Sequence, residues 1–417
     1  MKGLLRVTKI MKQGNLIQYQ HESSIEISRY IKEKLYCHYS KNIEAVPDSI
    51  AVLPFISDVL PFIWLTDSVI EVDEIDKDFF ECVHKVREGY KEMYPMLSWG
   101  GKLKAKHIVD NRARGTSKKE AVQLFSSGVD AFTTFFRHFD EKPDFITVWG
   151  GGDVNINDVS GWKNVSEHIQ KVAGEYGLQT FFIKSNFLEF LNIDNLNEIV
   201  LKSGDQWWHG FQHALALLGL SAPISMDYQR LYIASSYPAY MKGQYTLASD
   251  PSIDNHVKFN GIQVIHDGYE LDRQDKVRYL VEKKEEGFPI GLRVCWESNG
   301  GSNCCSCEKC YRTILEIVSE GGNPNQMGFV WDYSSIRRCR RDMMFKIRTS
   351  QDNILFLRGI TEHLQEQKSK GVIGTEYDWF CNLDFDHFND LPIKKIYHYP
   401  LIRKIRYIFK KVVLSSQ

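Results

Sequence analysis

The 417-residue sequence has no strong excess of charge of either sign, with 52 Lys+Arg against 53 Asp+Glu and a net charge of −1. That balance argues against a chain whose work is to coat nucleic acid with a globally basic surface, although it leaves room for a local basic patch. It also lacks a long apolar run. The most apolar stretch, 50–65, is too short to span a bilayer and is interrupted by Pro54, Asp58 and Pro61, so it reads as a buried core segment. No apolar run of signal-peptide length follows Met1–Gln13, and the expectation is a soluble, cytoplasmic chain. Internal repeats, low-complexity tracts and linkers rich in Pro, Gly or Ser are missing too, which leaves domain boundaries soft. There is no GxxxxGK, and Gly150-Gly151-Gly152 does not complete a GxGxxG, so neither a Walker site nor a dinucleotide fingerprint is present.

What is present has ordinary globular proportions, 43% hydrophobic and 25% charged, with aromatic residues at 13%. At roughly 100–200 residues per domain the length allows two or three. The reading is an N-terminal α/β or mixed region over 1–105, a central α/β domain over 106–335 and a C-terminal helical region over 336–417. In the first region the patterns predict a helix over 24–39 and another over 78–94, with no catalytic pattern.

From about Lys118 short apolar runs alternate with amphipathic segments. Strands are expected over 121–125, 145–149, 179–183, 230–234 and 262–266, and helices over 130–138, 165–176, 211–218 and 275–284. Such alternation predicts an α/β fold with a parallel sheet and crossover helices, whose ligands sit at the carboxyl ends of the strands. Two small-residue turns fall there: Ser126-Ser127-Gly128 and the glycines after Trp149.

Cysteine is clustered. Of nine cysteines, five lie within the sixteen residues Cys295–Cys310. Cys295-x8-Cys304-x2-Cys307-x2-Cys310 supplies four thiols in one loop and turn, able to surround Zn²⁺ tetrahedrally at about 2.3 Å each. With no open coordination position the site would be structural, a zinc knob whose binding free energy stabilises an irregular loop. An iron–sulfur cluster takes the same ligands, and buried unligated cysteines are the plainer alternative. Cys305 is the spare thiol, and no role is assigned to it.

Between a strand and a helix, Phe125-Ser126-Ser127-Gly128-Val129-Asp130-Ala131 lets backbone N–H groups approach a phosphate. The helix N-terminus adds partial positive charge, and Ser126 and Ser127 add hydroxyls. Asp130 can hold a loop amide or a phosphate-bound Mg²⁺. The plainer reading is a capped turn without a ligand.

Taken together, the loop and the cysteines resemble one family. The loop is similar to the S-G-G-x-D-S signature of the PP-loop ATP pyrophosphatases (adenine nucleotide alpha hydrolase-like), and the cysteine spacing is similar to the zinc motif of the 7-cyano-7-deazaguanine synthases. That branch also carries a Lys in a strand-following helix, where this chain has Asp272-Arg273-Gln274-Asp275-Lys276. The resemblance covers about residues 118–315. It implies a Rossmann-like PP-loop (HUP-type) fold that binds ATP and Mg²⁺, adenylates a carboxylate or similar oxygen of a small metabolite or sugar derivative, releases pyrophosphate, and passes the adenylate to a nitrogen nucleophile. Carried over, Ser126, Ser127, Gly128, Val129 and Asp130 would cradle the pyrophosphate, Arg273 would bind nucleotide, and Lys276 would neutralise phosphate charge. Cys295, Cys304, Cys307 and Cys310 would carry zinc. Longer chains with such a loop and a segment similar to Leu292-Arg293-Val294-Cys295-Trp296 occur as PP-loop proteins, some of them resembling members of polysaccharide gene clusters.

Two departures stand out. Ser127 replaces a glycine, which requires that φ there not be positive, and Ala131 replaces a hydroxyl residue that would touch phosphate, losing a hydrogen bond of about 1–3 kcal/mol. Two alternatives follow: a non-catalytic ATP- or AMP-binding subunit, and nucleobase modification or RNA sulfuration, which share the loop.

Several further residues have two readings each. His209 and His213 have the i, i+4 spacing of a two-histidine metal face or are satisfied core histidines. Trp207-Trp208 could stack a ring. Ser185-Asn186 and Ser235-Ser236 follow strands and are turn residues or ligand contacts. His266 could be a general base. Arg337, Arg338, Arg340 and Arg341 are a solvated face or a site for an acidic or phosphorylated substrate. The basic stretch 401–413 is a solvated helix or a contact with anionic lipid or an acidic partner.

Overall fold

The apolar run that cannot span a membrane folds as a buried helix in this computed structural model, which describes residues 3–112, 119–297 and 301–397. The basic stretch 401–413 lies outside the described residues. From Leu53 to Trp64 every residue is buried, so the helix needs core on all sides rather than a polar face. Among the described residues no helix is long and apolar enough to cross a membrane.

Two compact units divide the chain, 1–272 and 273–417, whereas the sequence pattern places boundaries near 105 and 335. The first unit holds an eleven-stranded sheet: β1 Leu4–Gln13, β2 Leu16–Ser23, β3 Tyr36–Tyr39, β4 Val69–Asp76, β5 Lys102–Val109, β6 Lys119–Leu124, β7 Asp144–Trp149, β8 Thr180–Ser185, β9 Tyr228–Ala234, β10 Lys258–Phe259 and β11 Ile262–Asp267. Its helices are α1 Ile25–Ser28, α2 Asp48–Ala51, α3 Leu53–Leu65, α4 Lys77–Met93, α5 Val129–Arg137, α6 Val159–Tyr176, α7 Phe187–Phe190, α8 Ile193–Val200, α9 His213–Ser225 and α10 Pro251–Asp254. The second unit is helical: α11 Arg273–Glu285, α12 Glu308–Ser319, α13 Tyr333–Phe345, α14 Gln351–Ser369, α15 Asp378–Cys381 and α16 Pro392–Tyr397.

The strand order is β10-β11-β9-β6-β7-β8-β3-β2-β1-β4-β5. Strands β11, β9, β6, β7 and β8 are mutually parallel, and in chain order they lie 5-4-1-2-3, the doubly wound arrangement. The chain leaves β6 to build β7 and β8 on one side, then returns to build β9 and β11 on the other. The topological switch therefore lies between β6 and β9. The predicted α/β class and parallel sheet are thus present, but the sheet is mixed. N-terminal strands extend it through antiparallel pairs of β8 with β3, β3 with β2 and β2 with β1, and parallel pairs of β1 with β4 and β4 with β5.

The helix predicted over 24–39 is not there. Only α1 is helical, and Tyr36–Tyr39 is a strand in which Cys37 and Tyr39 are buried while His38 is exposed. That period of two is set by pairing with β2 and β8, both distant in sequence, which override the local pattern. Strands β1 and β2 turn through Gly14-Asn15, with Gly14 at φ 57, where a residue without Cβ carries no steric cost.

Helix α3 packs on α9 closely enough that a Cβ at Gly219 would clash with the Ser57 side chain. Sheet tyrosines tie these layers together: Tyr19 donates to the Ala51 carbonyl at 2.7 Å and Tyr39 to that of Leu220 at 3.1 Å. Asp58, on α3, is 1% exposed, and burial pushes its carboxyl well above the usual range, which favours the neutral form. Its Oδ1 accepts from Gln212 Nε2 at 2.6 Å.

Candidate functional site

The loop after β6 begins as a continuation of the sheet. Phe125 N–H donates to the Ile146 carbonyl at 2.8 Å, and its own carbonyl accepts from Thr147 Oγ1 at 2.7 Å. Its ring stacks on Phe145, with centroids 3.8 Å apart, and meets Phe132 edge-on, which seats α5 against the strand. Gln123, fully buried, reaches forward to the Ala131 carbonyl at 2.6 Å.

Ser127 then turns the chain. Its φ is 63°, in the left-handed region, so the condition set for a serine at this glycine position, that φ not be positive, is not met. The serine keeps the backbone a glycine would adopt, at about 1–2 kcal/mol for a residue with a Cβ. Part of that cost is offset by its hydroxyl, which is fully buried and lies 2.8 Å from Nε2 of His168 on α6. Gly128 is the N-cap of α5, in extended conformation, and its N–H donates to Ser126 Oγ at 3.3 Å. Ser126 is exposed, Val129 is buried, and Asp130 is half-buried in the first turn of the helix. A left-handed residue followed by an extended glycine and a helix start makes a concave run of amides at the carboxyl end of the switch strand. Its partial positive charge suits a phosphate.

The neighbouring strand end is bare of side chains for a physical reason. At Gly150, φ is 104° and a Cβ would overlap the Ser185 carbonyl oxygen, so the loops after β7 and β8 touch backbone to backbone. The far end of α5 is locked in place by charge. Arg137 Nε donates to both oxygens of Asp267 at 3.2 and 3.1 Å, and His138 Nε2 lies 3.0 Å from the same carboxylate. Burial raises the Asp267 pKa, but the His138 hydrogen bond and the Arg137 charge outweigh it, and the group sits below its ordinary value.

The other histidines singled out in the sequence have structural partners. His266 has 1% of its side chain exposed, with Nδ1 2.8 Å from the fully buried Asp254 carboxylate, which also accepts from Ser249 Oγ at 2.7 Å. A base sealed in this way meets no substrate. His209 pairs with Asp205 at 2.8 Å, and His213 sits edge-on to Trp208. Trp207, fully buried, stacks on Phe211 within the core. Ser185 and Ser235 hydroxyls serve the backbone, donating to the carbonyls of Tyr36 and Tyr237.

Arg273 and Lys276 belong to the second unit, on α11. Arg273 is buried, with Nε 3.0 Å from Glu316 and a terminal nitrogen 3.1 Å from Thr313 Oγ1, both on α12. Lys276 is 2% exposed.

In that unit the four predicted thiols come together, with all Sγ atoms within 4.8 Å of one another. Cys295 and Cys307 sulfurs are 3.8 Å apart, and those of Cys304 and Cys310 are 3.9 Å apart. A tetrahedron with about 2.3 Å metal–sulfur bonds has edges of about 3.8 Å, whereas a disulfide needs about 2.05 Å. All nine cysteines are free thiols. Glu297 and Cys310 N–H groups each point at a sulfur, Cys295 and Cys307 respectively, at 3.4 Å. Cys307 is also the N-cap of α12, where the helix favours negative charge. Four thiols so close cannot all ionise by themselves. Hydrogen bonds from Cys295, Cys307 and Cys310 pull the Cys304 pKa far down, while the hydrogen bonds around Cys310, that with Cys295 first, push its thiol far up. A divalent cation removes that conflict. The residues fit a metal such as zinc, and among the described residues this is the one group of its kind.

Two residues without a sequence signal complete the loop. The Asn303 side chain accepts from the Val294 and Cys295 N–H groups and donates to the Leu292 and Gly328 carbonyls, clamping both flanks. Cys305, at φ 50°, accepts from Val330 N–H at 3.3 Å, which gives the spare thiol a structural task. His168 was equally invisible, being 41 residues from its partner. No family model matches the chain, and neither a curated protein nor a solved structure matches it at a significant level.

Proposed function

We propose that the chain is an ATP-dependent, AMP-forming ligase of the PP-loop kind. In this reading it binds ATP at Ser126–Asp130 and activates a carboxylate of a small metabolite or sugar derivative. The observation that carries it is the left-handed Ser127 between the switch strand β6 and the N-terminus of α5. Sequence similarity to the PP-loop signature alone would also suit a capped turn. A serine held at positive φ, with its hydroxyl 2.8 Å from His168, holds the turn in a strained conformation of the kind that clusters at ligand sites.

In the proposed reaction a substrate carboxylate oxygen attacks the α-phosphorus of ATP, the bond to the β-phosphate oxygen breaks, and pyrophosphate leaves. A nitrogen nucleophile such as ammonia then attacks the acyl carbon, loses a proton and expels AMP. The loop amides from Ser127 to Val129 and the Ser126 hydroxyl stabilise the leaving charge, and Asp130 orients the phosphates. Mg²⁺, when bound, supplies charge neutralisation between the phosphates. The missing hydroxyl at Ala131 predicts a weaker grip on phosphate and a slow enzyme rather than a different chemistry. A zinc ion at Cys295, Cys304, Cys307 and Cys310 holds its loop and takes no part in the reaction.

Pyrophosphate release by purified protein, given ATP, Mg²⁺, ammonia and a pool of carboxylate metabolites, tests the proposal. Release that requires the pool and disappears in Asp130→Asn supports it. Tight ATP binding with no release under any pool contradicts the ligase and leaves a nucleotide-binding subunit.

A further inference from the structure

Helix α13 presents an outward face made almost wholly of cations and rings. Tyr333, Arg337, Arg338, Arg340, Arg341 and Phe345 are exposed, Tyr333 at 68%. Its buried side is Ser335, Cys339, Asp342 and Met343. Asp342 answers Arg341 and Lys346, at 3.1 and 2.8 Å. Arg338 turns to Ser335 Oγ, and Arg337 lies over the Tyr333 ring at 5.0 Å. Among the described residues neither Arg337 nor Arg340 has a carboxylate partner. In a chain of net charge −1 this is a strong local asymmetry.

A second ring–cation pair belongs to the cysteine loop. Trp296, which follows Cys295, is 49% exposed with Lys309 Nζ 4.8 Å over its ring. The loop and the approach to α13 are joined through the Val330–Cys305 hydrogen bond. A metal at the four thiols would therefore stiffen the segment that leads into α13.

We propose that this face binds a single strand of nucleic acid. The arginines take phosphates, and Tyr333 offers a flat surface on which a base stacks without sequence preference. Tyr333 to Phe345 spans about 18 Å, room for about four or five nucleotides of one strand. An anionic membrane is the less suited polyanion, because an interfacial helix needs a continuous aliphatic side toward the lipid, and Met343 of α13 is fully buried instead. The surface is independent of the nucleotide loop and stands or falls apart from the ligase reading.

Fluorescence anisotropy of the full-length, metal-loaded protein with a labelled oligouridine of about 20 nucleotides tests this, at salt from about 50 to 200 mM. Wild type should bind, more weakly as salt rises. Arg337→Ala with Arg340→Ala should lower affinity at least about five-fold and flatten the salt slope by about 1.4, at about 0.7 for each phosphate no longer neutralised. Tyr333→Ala should lose about ten-fold with the slope unchanged, while Tyr333→Phe keeps affinity, which a merely structural role or a purely charge-driven attraction would not produce. All these side chains are exposed, so melting temperatures should stay at the wild-type value. Failure of wild type to bind the strand, equal binding by the arginine variant, or capture by phosphatidylserine vesicles without binding to the oligonucleotide would each overturn the proposal.

Discussion

The cysteine loop and the serine loop are both irregular turns that feed a helix N-terminus, yet they are completed in opposite ways. In the first, four thiols converge with sulfurs 3.8 and 3.9 Å apart across two pairs, a donor set that fits a metal ion. In the second, the buried polar atom already has its partner, because Ser127 is answered by His168, and the Gly128 N–H is met by Ser126 Oγ within the turn. The first is built around something that stays. The second, in the function proposed above, would receive a phosphate that leaves. Closed donor sets announce themselves in sequence through spacing, whereas a backbone cradle is written in φ angles that a serine can adopt as well as a glycine, at a cost.

That contrast breaks most visibly at the metal. Cys310→Ser, or chelation of the wild type, should empty the site and cost the second unit its cooperative unfolding, since structural zinc in small domains is worth about 10–16 kcal/mol in apparent binding. The first unit, in which no such ligand group occurs among the described residues, should keep its own transition. Elemental analysis with limited proteolysis checks this, and survival of the second unit as a protease-resistant piece after metal loss would break the comparison.

The core of the first unit carries a different linkage. The folded pKa of Asp58 is raised by burial, so its neutral form fits at low pH. Stability is then lost as pH climbs above about 3.9, where the unfolded carboxyl ionises, toward the folded pKa. Asp58→Asn should therefore gain on the wild type by about 1.4 kcal/mol per pH unit across that window and match it below it. Chemical denaturation at several pH values measures the slope, and a flat difference would show that Asp58 is charged in the fold.

The smallest expected effect separates strain from hydrogen bonding at Ser127. Ser127→Gly gives up the His168 hydrogen bond but relieves the left-handed strain, so it should be within about 1 kcal/mol of wild type. Ser127→Ala gives up the same hydrogen bond and keeps the strain, and should be less stable than the glycine variant by about 1 kcal/mol. Equal stabilities would mean that the residue is not held at positive φ in solution.

How much of this could be read from sequence follows the same division. The five parallel strands from β6 to β11 were legible because buried strands are short apolar runs separated by helix-sized segments. The four metal thiols were legible because spacing alone brings them close. The strand at Tyr36–Tyr39 was not, since only its distant partners β2 and β8 make it one. That the N-terminal strands join the same sheet through β3 was hidden for the same reason. Asn303 and His168 support the two loops with ordinary polar side chains at no diagnostic interval, and the positive φ of Ser127 contradicts what its side chain would suggest. Helix α13 was visible as an arginine cluster, but its interleaved exposed rings needed the helix to be seen.

The central claim is that the loop after β6 takes the phosphates of ATP. Equilibrium binding of a non-hydrolysable ATP analogue with Mg²⁺, measured by calorimetry on the metal-loaded full-length protein, tests it most directly. The predicted result is saturable binding that pyrophosphate displaces and that Asp130→Asn weakens at least about ten-fold, in line with the loss of one charge-assisted hydrogen bond. Absence of binding, or binding indifferent to both pyrophosphate and Asp130→Asn, would contradict it.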